Sequence, residues 1–151
     1  MNFTPTRINV FNFFKLPSVW WCGIRVTKID HISCQVKVVH RWINQNPFKS
    51  MFWAVQGMAA ELTTGVLIME AIQNSKRKIS MLVLNNRANF SKKARGKGLF
   101  ECDEKQKLLK AMNQLVKTQQ PQTIWLTSKG IDQNGDIVST FEFEWTLLLK
   151  N

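Results

Sequence analysis

Between Ser50 and Ile72 the chain reads SMFWAVQGMAAELTTGVLIMEAI, without a proline and apolar on nearly every side. The run is too long for a strand, and a helix without a polar face is buried, in a protein core or in a bilayer. At ~1.5 Å per residue it would come close to spanning a membrane. Glu61 at its centre, between Gln56 and Glu70, makes that costly, because hydrocarbon offers a carboxylate no partner. The segment is expected to be a core helix and not a membrane span. The sequences around it must then supply the layer that covers it.

Those sequences read as strands. Apolar and polar residues alternate from Ile24 to Lys28, and Ile32, Cys34, Val36 and Val38 alternate with Ser33, Gln35 and Lys37, predicting a hairpin through Asp30-His31. Beyond the helix, Ile79 to Phe90 and Leu99 to Cys102 are strand-like. Asp103 to Lys117 has the pattern of an amphipathic helix, with Asp103 as its cap and Gln106 completing a capping box. Thr123 to Ser128 and Ile137 to Leu149 are strands joined through Asn134-Gly135, a favoured tight-turn pair. In the last strand Phe141, Phe143, Trp145, Leu147 and Leu149 share one face. At the start of the chain Ile8, Phe11, Phe14 and Leu16 can share a face of a short helix, about residues 5–16, lying on the body. A helix apolar all round needs a sheet that curls about it, so the fold class is α+β. No repeat or linker divides the chain, which predicts one domain over residues 1–151.

The charge is unusual. Twenty-one Lys and Arg against ten Asp and Glu give +11, which favours an anionic partner: a phosphorylated small molecule, nucleic acid or an anionic surface. Three cysteines, Cys22, Cys34 and Cys102, are odd in number and lack a Cys-x-x-Cys spacing, so they read as free thiols in a reducing compartment, the cytoplasm. Residues 1–17 carry no small-residue cleavage pattern of a signal peptide. With two histidines, His31 and His40, read as surface residues at strand ends, no metal site is expected.

The pieces Asn46-Pro47-Phe48-Lys49-Ser50-Met51-Phe52 and Ala59-Ala60-Glu61-Leu62-Thr63-Thr64-Gly65 resemble the active-site segment of hotdog-fold acyl-CoA thioesterases of the phenylacetyl-CoA type. In detail they are most similar to an uncharacterised bacterial hotdog family known only as thioesterase-like. That segment has an Asn before the central helix, an acidic residue fifteen positions later, and often a glycine four after that; Asn46, Glu61 and Gly65 stand at those spacings. The resemblance runs from about Arg25 onward and implies a hotdog fold, a curved antiparallel sheet wrapped around the Ser50–Ile72 helix. It also implies a homodimer or dimer of dimers, in which the carboxylate of one subunit faces the helix start of the other. The substrate would be an acyl-CoA, with coenzyme A as part of the substrate and no separate cofactor. Phe52, Trp53 and Ala54 stand where relatives carry a His-Gly-Gly turn.

The same residues can be read chemically. Thioester hydrolysis needs a carboxylate to activate water or attack the carbonyl, and donors aimed at the developing oxyanion. Glu61, desolvated by its helix, is the expected base or nucleophile. Asn46 is expected to position water or thioester, and the backbone amide of Trp53, at the positive end of the helix, to stabilise the oxyanion. Ser50 reads as an N-cap and Gly57 and Gly65 as close-packing positions, while the family resemblance implies Ser80, near a strand hydroxyl that some relatives use, as a lesser candidate. The basic run Lys92, Lys93, Arg95 and Lys97, with Gly96 and Gly98, is the expected contact for coenzyme A phosphates. The alternative suggested by Phe52-Trp53-Ala54 is a non-catalytic acyl-CoA or fatty-acyl binding protein. Nucleic-acid association ranks third, because the aromatics lie in core-like patterns and no groove-reading helix stands out.

Overall fold

The computed structural model describes residues 2–151. Its elements follow in the order α1 (Pro5–Lys15), α2 (Pro17–Trp21), β1 (Arg25–Ile29), β2 (Cys34–Val39), a 3-10 turn (Trp42–Asn44), α3 (Trp53–Ser75), β3 (Ile79–Phe90), β4 (Lys97–Cys102), α4 (Lys105–Thr118), β5 (Gln122–Asp132) and β6 (Ile137–Leu149). All six strands form one antiparallel sheet in the order β1-β2-β4-β5-β6-β3. The sheet curls about α3, whose Ala59, Ala60, Val66, Leu67 and Ile68 are fully buried. This is the hotdog arrangement. No helix among the described residues is long and apolar enough to cross a membrane.

The inward faces follow the alternation of the sequence. Phe141, Phe143, Trp145 and Leu147 of β6 are buried against α3, as are Val36 and Val38 of β2 and Phe100 of β4. Polar latches fix the helix against the sheet: Thr63 Oγ1 bonds Ser128 of β5 at 2.9 Å, and Trp145 Nε1 donates to Thr64 Oγ1 at 3.0 Å. Both contacts sit in the dry core, where an unpaired hydroxyl or indole N–H would be costly. At Gly57 an added methyl would stand 3.4 Å from the Phe141 ring, an ordinary contact, so the packing does not demand a glycine there.

Four expectations need correction. The central helix runs from Trp53, not Ser50, because Met51 is drawn into a bridge with Gln45 and donates its N–H to Ala94. Ser50 therefore does not cap it; Phe52 occupies the cap position. Asp103 does not cap α4 either, for that helix begins after Glu104, whose carboxylate accepts the N–H of Thr127 at 2.6 Å. At the N-terminus Ile8 is buried, while Phe14 and Leu16 face outward and Asn12 takes the inward place.

The two sheet edges differ. At β1, Asn9 of α1 bonds both the N–H and the carbonyl of Val26 at 2.9 Å, so a side chain stands in for a neighbouring strand. At the other edge β3, among the described residues, pairs only with β6, and its half from Asn85 to Phe90 is exposed throughout.

Candidate functional site

The chain before α3 is organised by two asparagines. Asn44 is buried and spends its amide on three backbone groups: it accepts from Arg41 N at 2.8 Å and donates to Cys22 O at 3.0 Å and Val39 O at 2.9 Å. Asn46 then closes a tight turn. Its Oδ1 accepts the N–H of Phe48 at 2.9 Å, its Nδ2 donates to Ser50 Oγ at 2.9 Å, and Lys49 adopts a left-handed conformation inside the loop. The Asn46 carboxamide is thus tied into its own turn, with one amide hydrogen left for another partner.

The start of α3 offers fewer open donors than the sequence suggests. Ser50 N lies 3.3 Å from Asn46 Oδ1, Met51 N goes to Ala94 O and Phe52 N to Asn44 O. Val55 N and Gln56 N both turn to Phe52 O. Among the described residues, Trp53 N and Ala54 N alone remain open in this first turn, at the positive end of a 23-residue helix. The Trp53 side chain is 58% exposed and lines the opening without filling it.

A cleft of about 380 Å³ lies at this point, between the α3 start and the β3–β4 connection. Asn46, Ser50, Trp53, Gln56, Lys92 and Lys93 are among the residues lining it. Lys92 is committed elsewhere, because its ammonium sits 2.7 Å from Asp132 and 2.8 Å from Asp136, which raises its pKa. Lys93, Arg95 and Lys97 have no carboxylate within ion-pair distance among the described residues. Lys93 opens on the cleft, Arg95 on a neighbouring hollow with Lys93 and Gly96, and Lys97 on neither.

Glu61 lies elsewhere. It is eight residues past Trp53, about 12 Å along the helix axis. Its carboxylate lies over Gly65, where an added methyl would come 3.4 Å from Oε1, and it makes no hydrogen bond among the described residues. Burial raises its pKa above the usual carboxylate value. One chain therefore brings Asn46, Trp53, Lys92 and Lys93 together but leaves Glu61 apart from them.

Of the lesser candidates, Ser80 Oγ reaches only the Leu148 carbonyl in the paired strand, at 3.5 Å. His31 is exposed, whereas His40 is half-buried with Nε2 enclosed, which corrects its reading as a surface residue. No metal-ligating cluster occurs among the described residues. Gln56 was missed: it is buried, donates to Met51 O at 3.3 Å and lines the cleft with Oε1 unbonded. Its one signal in the sequence is a carboxamide one turn into an otherwise apolar helix.

The sequence matches DUF4442, a domain of unknown function, over residues 6–147. No curated protein matches it. Solved structures of similar fold include a protein of unknown function from Pseudomonas aeruginosa described as a probable thioesterase, with TM-score 0.82 and 17% identity over 97% of both chains. A protein of unknown function from Chlorobaculum tepidum aligns with TM-score 0.81 and 14% identity over 98% of both chains. A thioesterase from Haemophilus influenzae aligns with TM-score 0.73 and 11% identity, covering 99% of this chain and 93% of that one. Likeness at this level of identity speaks to the fold.

Proposed function

The chain belongs to the DUF4442 family, and from that premise we propose that it is a cytoplasmic acyl-CoA thioesterase working as a homodimer. The observation that carries the reading is Glu61: a carboxylate without a hydrogen-bond partner among the described residues, held half-buried on the central helix and raised in pKa by burial. A structural carboxylate in that setting gains from a partner; a general base gains from having none, because desolvation brings its basicity toward neutral pH.

Glu61 takes a proton from water as the water oxygen bonds to the thioester carbonyl carbon. The negative charge that develops on the carbonyl oxygen is met by the open N–H groups of Trp53 and Ala54. Collapse of this intermediate breaks the carbon–sulfur bond, and the departing thiolate takes the proton back from Glu61, leaving a free acid and a thiol. Asn46 and Gln56, on the cleft wall, would orient the acyl group, and Lys93 with Arg95 would meet the phosphates of coenzyme A. Lys97 contributes at longer range, and Lys92 only if its two aspartates release it.

A separation of about 12 Å between Glu61 and its own helix start supports a site completed by a second subunit. The open β3 edge supports such pairing: unpaired backbone groups on a long edge strand invite another chain, while Asn9 guards the opposite edge. The three free thiols suit a reducing compartment.

The test is thiol release from a panel of short, long and aromatic acyl-CoA esters. Glu61→Gln is expected to lower kcat by about 10²-fold or more, the usual contribution of a general base. Unchanged turnover in a folded Glu61→Gln protein removes Glu61 from the mechanism. Phe52-Trp53-Ala54 and the self-bonded Asn46 favour a second reading, acyl-CoA binding without hydrolysis; tight binding with no turnover across the panel would establish it.

A further inference from the structure

Outside the cleft, the most conspicuous surface is the end of the molecule built by α1, α2 and the Trp42–Asn44 turn. These elements are held together. The Phe13 ring packs edge-on against Phe14 at 4.9 Å and Trp20 at 5.2 Å, and Asn44 bonds the carbonyl of Cys22 just after α2. Yet large apolar side chains on them face water: Trp42 is 84% exposed, Phe14 71% and Trp21 65%. Val10 and Ile43 continue the patch, and beside it lies an open, mainly apolar recess of about 510 Å³ lined by Thr6, Arg7, Val10 and Phe11. Single exposed apolar residues need no explanation, but several large ones gathered on joined elements at one end of the molecule do.

The charge around the patch has one sign. Asp30 is the one acidic residue before Glu61, and it pairs with Lys28 at 2.8 Å. Arg7, Lys15, Arg25 and Arg41 lie on or beside the patch elements, with Arg25 stacked 3.5 Å over the Trp20 ring. Phe and Trp on elements that carry Arg and Lys and no acidic residue of their own match an interface whose depth is apolar and whose surface is anionic.

We propose that this end of the protein is a docking surface for an anionic lipid bilayer, with Phe14, Trp21 and Trp42 entering the headgroup region and the surrounding Arg and Lys meeting lipid phosphates. A second copy of the chain is the poorer occupant, because a two-fold contact through this patch would set a basic surface against its own replica. The docking is peripheral, and it operates whether or not Glu61 hydrolyses a thioester.

The experiment uses the full chain with phosphatidylcholine vesicles, with and without phosphatidylglycerol, read by vesicle flotation and tryptophan fluorescence. The expected result is binding that requires phosphatidylglycerol, weakens with salt and shifts the emission to the blue. A Trp21→Ser/Trp42→Ser variant should bind about tenfold or more weakly, with its unfolding midpoint unchanged. Lys15→Glu/Arg41→Glu should do the same. Equal binding to both vesicle types, or to neither, overturns the proposal, as does full binding by the Trp variant. A wild-type dimer that the Trp variant turns into monomer assigns the patch to a second copy and overturns it too.

Discussion

Trp53→Pro isolates a backbone donor, which side-chain substitutions rarely do. Trp53 is the first residue of α3, its N–H has no acceptor among the described residues, and Phe52 before it has φ −61° and ψ 135°, the extended conformation that a following proline requires. The ring therefore deletes the amide hydrogen without breaking a hydrogen bond, and its fixed φ suits the first turn. The exposed indole contributes little burial, so stability should change by less than about 1 kcal/mol. If the Trp53 amide holds the oxyanion, kcat should fall by about 10²–10³, the usual effect of losing one such donor. Trp53→Ala is the control, since it removes the same indole and keeps the N–H. Both variants would be assayed on the best acyl-CoA of the panel, with unfolding followed in urea. Equal turnover in the two variants refutes a role for the amide.

Lys105 sits with 9% of its side chain exposed, 2.5 Å from Glu70 and 2.6 Å from the Asp30 carbonyl, so Lys105→Met should cost about 2–4 kcal/mol in urea unfolding. Arg87→Met, which breaks a pair of similar length but 65% and 34% exposed, should cost much less, and Lys105→Met/Glu70→Leu should regain much of the first loss; a double variant no better than the single sinks the account. Because burial holds the folded-state pKa of Glu61 above its unfolded value, the folded protein keeps that proton longer. Stability at this site therefore falls as pH rises from the ordinary carboxylate range through the folded pKa, and is fully reduced above it. Glu61→Gln should thus gain over wild type at neutral pH and not in acid, and a difference flat with pH refutes the sign. Asn44→Ala strands two carbonyls and an N–H and should lower stability by about 2–4 kcal/mol, with the mobility of residues 41–53 rising in hydrogen exchange. Gly130→Ala would bring a methyl within 2.5 Å of the Phe100 ring, so it should cost about 1–3 kcal/mol and be relieved by Phe100→Leu; no relief points to another cause.

Much of the fold was legible because its signals are local. Alternation along β2 and β6 and the all-round apolarity of α3 are properties of a few consecutive turns or pleats. Helix ends were less legible: the start of α3 is set by Ala94 and Asn44, which take the N–H groups of Met51 and Phe52. Capping at Asp103 failed for a similar reason, since Glu104 bonds a strand twenty-three residues away. The importance of Asn44 and Lys105 left no trace in any local pattern, because a buried polar residue looks like a surface one until its partners are in place.

For the site, the sequence by itself determined that Glu61 would be largely desolvated, since a carboxylate on a helix without a polar face is packed against apolar neighbours. Only the tertiary structure decided which donors stay open, Trp53 and Ala54, and that Asn46 spends its carboxamide within its own turn. It likewise decided that Lys92 is held by Asp132 and Asp136 while Lys93 faces the cleft, and that Phe14, Trp21 and Trp42 point into water. The physical reason is one of range. Hydrophobic period acts over a few residues, whereas hydrogen bonds and ion pairs are assigned by whatever the folded chain brings within about 3 Å.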